Sequence, residues 1–201
     1  MKILITGNLG YVGTILSKKL NSMNHDVIGV DLNFFKSTLT KKPKIFKQLY
    51  KDFRNLNSND LKNIDAIVHL AAISNDPIGN FFSNVTYDVN YRGSINLAKL
   101  AKKNNVKKFV FASSCSIYGH GGKKPKSERC KIKPLSTYAK SKILAENGLK
   151  KISDVCITSL RFATATGYSD NMRLDLVLND FVTSALLYKK ISILSDGKPI
   201  R

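Results

Sequence analysis

At 201 residues, 43% apolar and 23% charged, with 12 Gly and 5 Pro, the chain can bury one sizeable core but is short for two full domains, which excludes disordered, collagenous and disulfide-scaffold classes. Cys115, Cys130 and Cys156 contain no CxxC pair, and His25, His69 and His120 share no helical or finger spacing, so no metal site or disulfide framework is expected. The formal charge of +19, from 33 basic against 14 acidic residues, raises the question of a polyanionic partner. The lysines fall in scattered doublets such as Lys18-Lys19, Lys102-Lys103 and Lys150-Lys151, without an arginine-rich arm or aromatic interleaving. A solvated basic surface is therefore expected, not a nucleic-acid site. The first residues lack a signal-peptide pattern, and no apolar run approaches the length of a membrane span, so a cytoplasmic, membrane-free protein is expected.

Short β-branched runs alternate with longer amphipathic stretches, the pattern of a parallel sheet with crossover helices. Residues 2–6 read as a buried strand. A glycine-rich turn follows, then a helix over 11–23 with Val12, Ile15, Leu16 and Leu20 on one face. Strands are expected at 26–31, 45–50 (short), 65–70, 107–112 and 155–161, with a long helix over 84–104 and another over 137–150. A Gly, Lys and Pro-rich loop spans 120–134, residues 175–190 read as helical, and 191–194 as extended. The fold class is α/β, a Rossmann-type doubly wound parallel sheet.

Gly7, Gly10 and Gly13 form GxxGxxG between the first strand and the first helix. Glycines there permit a tight turn and close backbone approach to a pyrophosphate, while the helix N-terminus offers N–H groups and a favourable dipole. Asp31 closes the second strand 18 residues after Gly13, where a carboxylate accepts both ribose hydroxyls of an adenosine and repels a 2′-phosphate. This pattern favours NAD over NADP. Tyr138 and Lys142 stand at i and i+4 on one helical face, so that an ammonium can stabilise a phenolate. Ser113, Ser114 and Ser116 cluster at the carboxyl end of the fifth strand, the edge at which ligands of such sheets bind.

Together these motifs resemble an extended short-chain dehydrogenase/reductase of the NAD-dependent nucleotide-sugar epimerase/dehydratase family. The likeness continues through Asp52-Phe53, His69-Leu70-Ala71-Ala72, Asn90, the SSxxxYG block and the stretch from Arg161 to Gly167. It implies that the N–H groups of Tyr11 and Val12 bind the pyrophosphate of NAD, that Asp31 holds the adenosine ribose, and that Asp52 and Phe53 border adenine. Leu70, Ala71 and Ala72 would pass beneath the nicotinamide half, with Asn90 a buried organiser on the cofactor side. Ser114 would hydrogen-bond the sugar oxygen, Tyr138 would be the base, and Lys142 would hold both the phenolate and the nicotinamide ribose. His69 is expected to pack, not to catalyse.

The resemblance further implies oxidation of a sugar hydroxyl, usually at C4, to a transient 4-keto nucleotide sugar. Dehydrating relatives place Asp and Glu after the catalytic hydroxyl residue, where this chain has Cys115 and Ser116, so epimerisation is expected. The alternatives are a net reductase or dehydrogenase, or a non-catalytic binding protein using the basic surface. Thr164 stands where the family commonly has Asn, and both Thr164 and Asn179 are candidate substrate contacts. Residues 1–170 are expected to form the cofactor domain and 171–201 the start of a truncated substrate lobe. A homodimer through helices 84–104 and 137–150 is expected by analogy.

Overall fold

The computed structural model describes residues 1–74, 76–120 and 124–193. Six strands, β1 (Lys2–Thr6), β2 (Asp26–Asp31), β3 (Lys47–Tyr50), β4 (Ala66–His69), β5 (Lys108–Ser114) and β6 (Cys156–Phe162), form one parallel sheet in the order β3-β2-β1-β4-β5-β6. The order reverses between β1 and β4, and a crevice above the strand ends at such a switch point is where doubly wound sheets bind ligands. Central strands are buried on both faces, as the unbroken Ile3, Leu4 and Ile5 run requires. β6 lies at the sheet margin and leaves Leu160 and Phe162 exposed.

Helices α1 (Tyr11–Ser22), α2 (Asp76–Phe81), α3 (Ser83–Tyr87), α4 (Ser94–Lys103), α5 (Thr137–Leu149) and α6 (Val177–Tyr188) complete the described chain. One core layer joins Leu97, Ala98 and Ala101 of α4 and Ala145 and Leu149 of α5 to Phe109 and Phe111 of β5. The opposite layer sets Leu16 and Leu20 of α1 on Ile3, Ile5 and Val27. No described helix is long and apolar enough to cross a membrane.

Some expectations change. The helix over 84–104 is present but interrupted, because Asp88–Gly93 winds as a π-helical turn between α3 and α4. The buried face of α1 is Gly13, Thr14 and Ser17, while Val12 and Ile15 are exposed. The helix start lies too close to the preceding turn for large side chains: a Cβ at Gly13 would fall 2.1 Å from the Gly7 carbonyl oxygen. Residues 191–193 are irregular, not a strand, and Leu194 lies outside the described residues. Basic and aromatic side chains do meet at the β3 edge, with Lys42 Nζ over Tyr50 and, nearby, Lys2 Nζ over Phe46.

Candidate active site

The glycine turn is built by close approach. Gly7 has φ +73°, and a Cβ there would meet the Ala71 nitrogen at 2.8 Å, so only glycine lets this turn lie against the chain leaving β4. Gly10 caps α1 without a side-chain oxygen, so no side-chain cap occupies the first-turn N–H groups of Tyr11 and Val12. Asn8, fully buried, exchanges amide hydrogen bonds with Gln48 of β3 at 2.8 and 3.1 Å, which locks the turn to the sheet. Asp31 accepts from the Leu9 N–H at 3.2 Å and the Asn33 N–H at 2.7 Å. Its carboxylate is thereby fixed beside the turn with lone pairs left for further donors. This uncapped cradle and the fixed carboxylate fit the diphosphate and ribose of NAD.

On the adenine side the fit is partial. Asp52 caps a short 3₁₀ turn and holds Arg54 through the backbone N–H and the guanidinium. The Arg54 hydrogen bonds hold its carboxyl below the usual carboxylate range, against the opposing effect of burial. The Phe53 ring turns inward and meets His69 edge-on, with centroids 4.7 Å apart. Any adenine contact at Phe53 therefore falls to its backbone.

Beyond β4, Leu70 and Ala71 donate their N–H groups to the Thr6 carbonyl and Thr6 Oγ1, at 3.0 and 3.4 Å, and Ala72 follows half-buried. Asn90, in the π turn, clamps this stretch. Its amide accepts from the Ile73 N–H and donates to the Ile73 carbonyl, both at 2.9 Å, and donates to Ser141 Oγ at 3.1 Å. It thus joins the β4 exit to the helix that carries Tyr138 and Lys142, as a buried organiser.

His69 sits beneath. Ser94 Oγ donates to the Asn90 carbonyl, so His69 Nε2–H donates to Ser94 Oγ at 2.9 Å and Nδ1 accepts from the Thr6 hydroxyl at 2.6 Å. Full burial, helped by the charge of Lys142, pushes its pKa down to about 3. The ring is neutral and structural, as its sequence context suggested. The folded protein resists protonation at His69 while the unfolded chain accepts it near 6.5, so its contribution to stability is lost as pH falls from about 6.5 toward 3. His69→Gln should flatten the acid limb of a melting-temperature profile across that window; an unchanged acid limb would place the proton uptake elsewhere.

α5 begins at Ser136, whose hydroxyl accepts from the Ala139 N–H at 3.2 Å. Its inner face is unusually polar, burying Ser141, Lys142 and Glu146. Lys142 Nζ donates to the Ala112 carbonyl at 2.8 Å and lies 5.6 Å from the Tyr138 ring centroid and 4.8 Å from that of Phe111. Burial brings its pKa down to about 7. The contact sets Tyr138 beside the end of β5, two residues before Ser114. Ser114 is half-buried and accepts from the Ser116 N–H at 3.2 Å. Lys142 thus lies between the Tyr138 ring and the strand that ends at Ser114, next to the β4 exit against which the glycine turn packs.

The stretch after β6 carries contacts that sequence spacing did not reveal. Thr164 is half-buried. Asn179 is 5% exposed, and its amide is fully committed within the protein. Its oxygen accepts from the Gly167 N–H and Thr166 hydroxyl, both at 3.1 Å, and its nitrogen donates to Tyr11 Oη and the Arg173 carbonyl at 3.1 and 3.0 Å. A direct Asn179 contact to substrate thus requires surrendering one of these. Ser169, which sequence reasoning missed, and Asn171, in the 170–173 stretch that resembles the start of the family's sugar-nucleotide pocket, are buried and bond the Tyr11 and Leu9 carbonyls. Arg173 donates to Ser74 Oγ at 3.0 Å, pairs with Asp175, and feels Tyr138 and Tyr11 electrostatically. Buried small polar residues show no periodicity, so nothing in the spacing marked Ser169.

A family model described as the NAD dependent epimerase/dehydratase family matches residues 3–201. The chain belongs to this family. The uncharacterized UDP-glucose epimerase YtcB of Bacillus subtilis is 31% identical over 217 residues, covering 100% of the chain and 67% of YtcB. Among solved structures, the NAD-dependent NDP-hexosamine 5,6-dehydratase TunA of tunicamycin biosynthesis superposes with a TM-score of 0.84 at 26% identity, over 98% of the chain and 65% of TunA. MoeE5 in complex with UDP-glucose and NAD gives a TM-score of 0.83 at 26% identity, over 98% of the chain and 65% of MoeE5. The chain thus spans about two thirds of the length of each of these proteins. The fold and family anticipated from the motifs are those found, and NAD is the cofactor of the family.

Proposed function

We propose that this chain supports NAD-dependent oxidoreduction at a carbon of a nucleotide sugar, through a transient keto sugar, with epimerisation as the net reaction. The observation that carries the reading is Lys142, buried between the Ala112 carbonyl and the Tyr138 ring at the β5 end of the switch-point crevice. NAD, when bound, would accept and return a hydride. Tyr11 and Val12 would hold its diphosphate by their N–H groups, Asp31 its adenosine ribose, and Lys142 its other ribose. Leu70, Ala71 and Ala72 would underlie the reactive half.

Tyr138 would take the proton of the sugar hydroxyl and give it back, and Lys142 would stabilise the phenolate between those events. Ser114 would donate to the same sugar oxygen and fix its direction. Cys115 and Ser116 open the 3₁₀ turn after Ser114, so neither position next to it supplies the carboxylic acid that would protonate a leaving hydroxyl. This favours inversion over dehydration. From residue 171 the chain would begin the substrate lobe, and the exposed Val85 of α3 and Leu144 of α5, on the two helices expected to dimerise, would contribute to a homodimer contact.

Product analysis by NMR after incubation with NAD and UDP-, GDP-, CDP- or dTDP-sugars tests this reading. An inverted sugar without accumulation of NADH is expected; stoichiometric NADH would replace epimerisation by net oxidation. Asp31→Ala removes charge-assisted bonds of about 1.5–3 kcal/mol each. NAD affinity should therefore fall tenfold or more by calorimetry, with relaxed discrimination against NADP. Unchanged affinity would remove Asp31 from the site.

A further inference from the structure

Tyr11 joins the start of α1 to the segment that follows β6. Its N–H belongs to the start of α1, while its other polar groups bind the segment that follows β6. The Tyr11 hydroxyl donates to the Gly167 carbonyl at 2.7 Å and accepts from Asn179 Nδ2 at 3.1 Å. Its carbonyl accepts from Ser169 Oγ at 2.7 Å, and Ser169 also bonds Thr14 Oγ1 at 2.9 Å. Two residues on, Asn171 Nδ2 donates to the Leu9 carbonyl at 2.7 Å, and Asp170 pairs with Lys18 of α1. Ser169, Asp170, Asn171 and Asn179 are all buried, so water is a poor substitute for these partners.

We propose that Tyr11 is a positioning residue that couples the cofactor turn to the substrate segment, so that NAD bound at the turn tightens the binding of a nucleotide diphosphate at residues 164–180. This rests on the proposed reading of the glycine turn as the NAD site. The Asn179 amide is saturated by protein partners, so its task is to hold the Gly167 turn and the Arg173 backbone in place. The Tyr11 hydroxyl is the one partner of that amide contributed by the glycine turn. Fixing the Tyr11 main chain around a diphosphate therefore orders the Asn179 network in advance, and a second ligand bears less of that ordering cost. The coupling is reciprocal, and its ordinary range is about fivefold to 150-fold in affinity.

Two measurements test it. In the unmodified chain, calorimetric titration with UDP should give at least about fivefold tighter binding at saturating NAD than without NAD; equal affinities overturn the coupling. Hydrogen–deuterium exchange then isolates the hydroxyl. In the unmodified chain NAD should slow exchange in peptides covering both 7–14 and 164–180; in Tyr11→Phe, at saturating NAD, 7–14 should respond as before and 164–180 clearly less, the Ser169 and Asn171 bonds to turn carbonyls remaining. An equal response of 164–180 in both proteins overturns the role of Tyr11. Absence of any response at 7–14 instead overturns the NAD reading, and the coupling falls with it.

Discussion

Tyr138→Phe is expected to lower nucleotide-sugar turnover by about 10²–10⁴-fold, the range for loss of a positioned general base. The substitution removes one oxygen and keeps the ring over which Lys142 lies at 5.6 Å. Packing of α5 on β5 should persist, and NAD affinity should change little. Product rates by NMR beside a calorimetric NAD titration check both halves. Equal turnover would take Tyr138 out of the chemistry; a parallel loss of NAD binding would make it a cofactor ligand first.

Arg161→Met should cost about 3–5 kcal/mol of stability, the usual result of stripping one partner from a buried ion pair. Arg161, at the end of β6, binds Glu146 of α5 through two parallel contacts, Nε to Oε1 at 3.0 Å and Nη2 to Oε2 at 2.7 Å. Ser113 Oγ donates to the same carboxylate, and Arg161 Nη1 donates to Tyr118 Oη at 2.9 Å. The Glu146 side chain is 1% exposed and that of Arg161 13%, so solvent does little to screen the loss. Burial alone would raise the Glu146 carboxyl; the Arg161 and Ser113 hydrogen bonds outweigh it and hold the group below its usual range. Without Arg161 the carboxylate, buried on the inner face of α5, keeps the Ser113 hydrogen bond but loses its cation. Urea unfolding should show the loss, and an Arg161→Met, Glu146→Leu double variant should recover much of it. A cost under about 1 kcal/mol in the single variant would mean that water reaches the pair freely.

The sheet was legible because its signals are local. β-branched runs mark buried parallel strands, and GxxGxxG, Asp31 and the Tyr138-Lys142 spacing each sit where an element begins or ends. The interrupted helix was not legible. Gly93, at the end of the π turn, admits the Phe53 ring, with which an added Cβ would collide at 3.0 Å, and only the folded chain brings these two residues together. α2, at six residues, is too short to establish a helical period. On α1, Leu16 and Leu20 pack inward as their spacing predicts, but Val12 and Ile15 were misassigned because apolar spacing does not reveal that the helix start must press against a turn. Phe53 read as a ligand-side residue from its motif, yet its ring serves the core. Ser169, Asn171 and the saturated Asn179 amide depend on partners about 160 residues away in sequence, and no pattern along the chain encodes such pairs.

The most direct test of the site is a crystal structure of the NAD complex. Lys142 Nζ should then lie within hydrogen-bond distance of the nicotinamide ribose, with the Tyr138 hydroxyl at the same end of the crevice and the diphosphate on the N–H groups of Tyr11 and Val12. A ribose out of reach of Lys142, or a diphosphate bound away from the glycine turn, would contradict the assignment of phenol and ammonium to the chemistry.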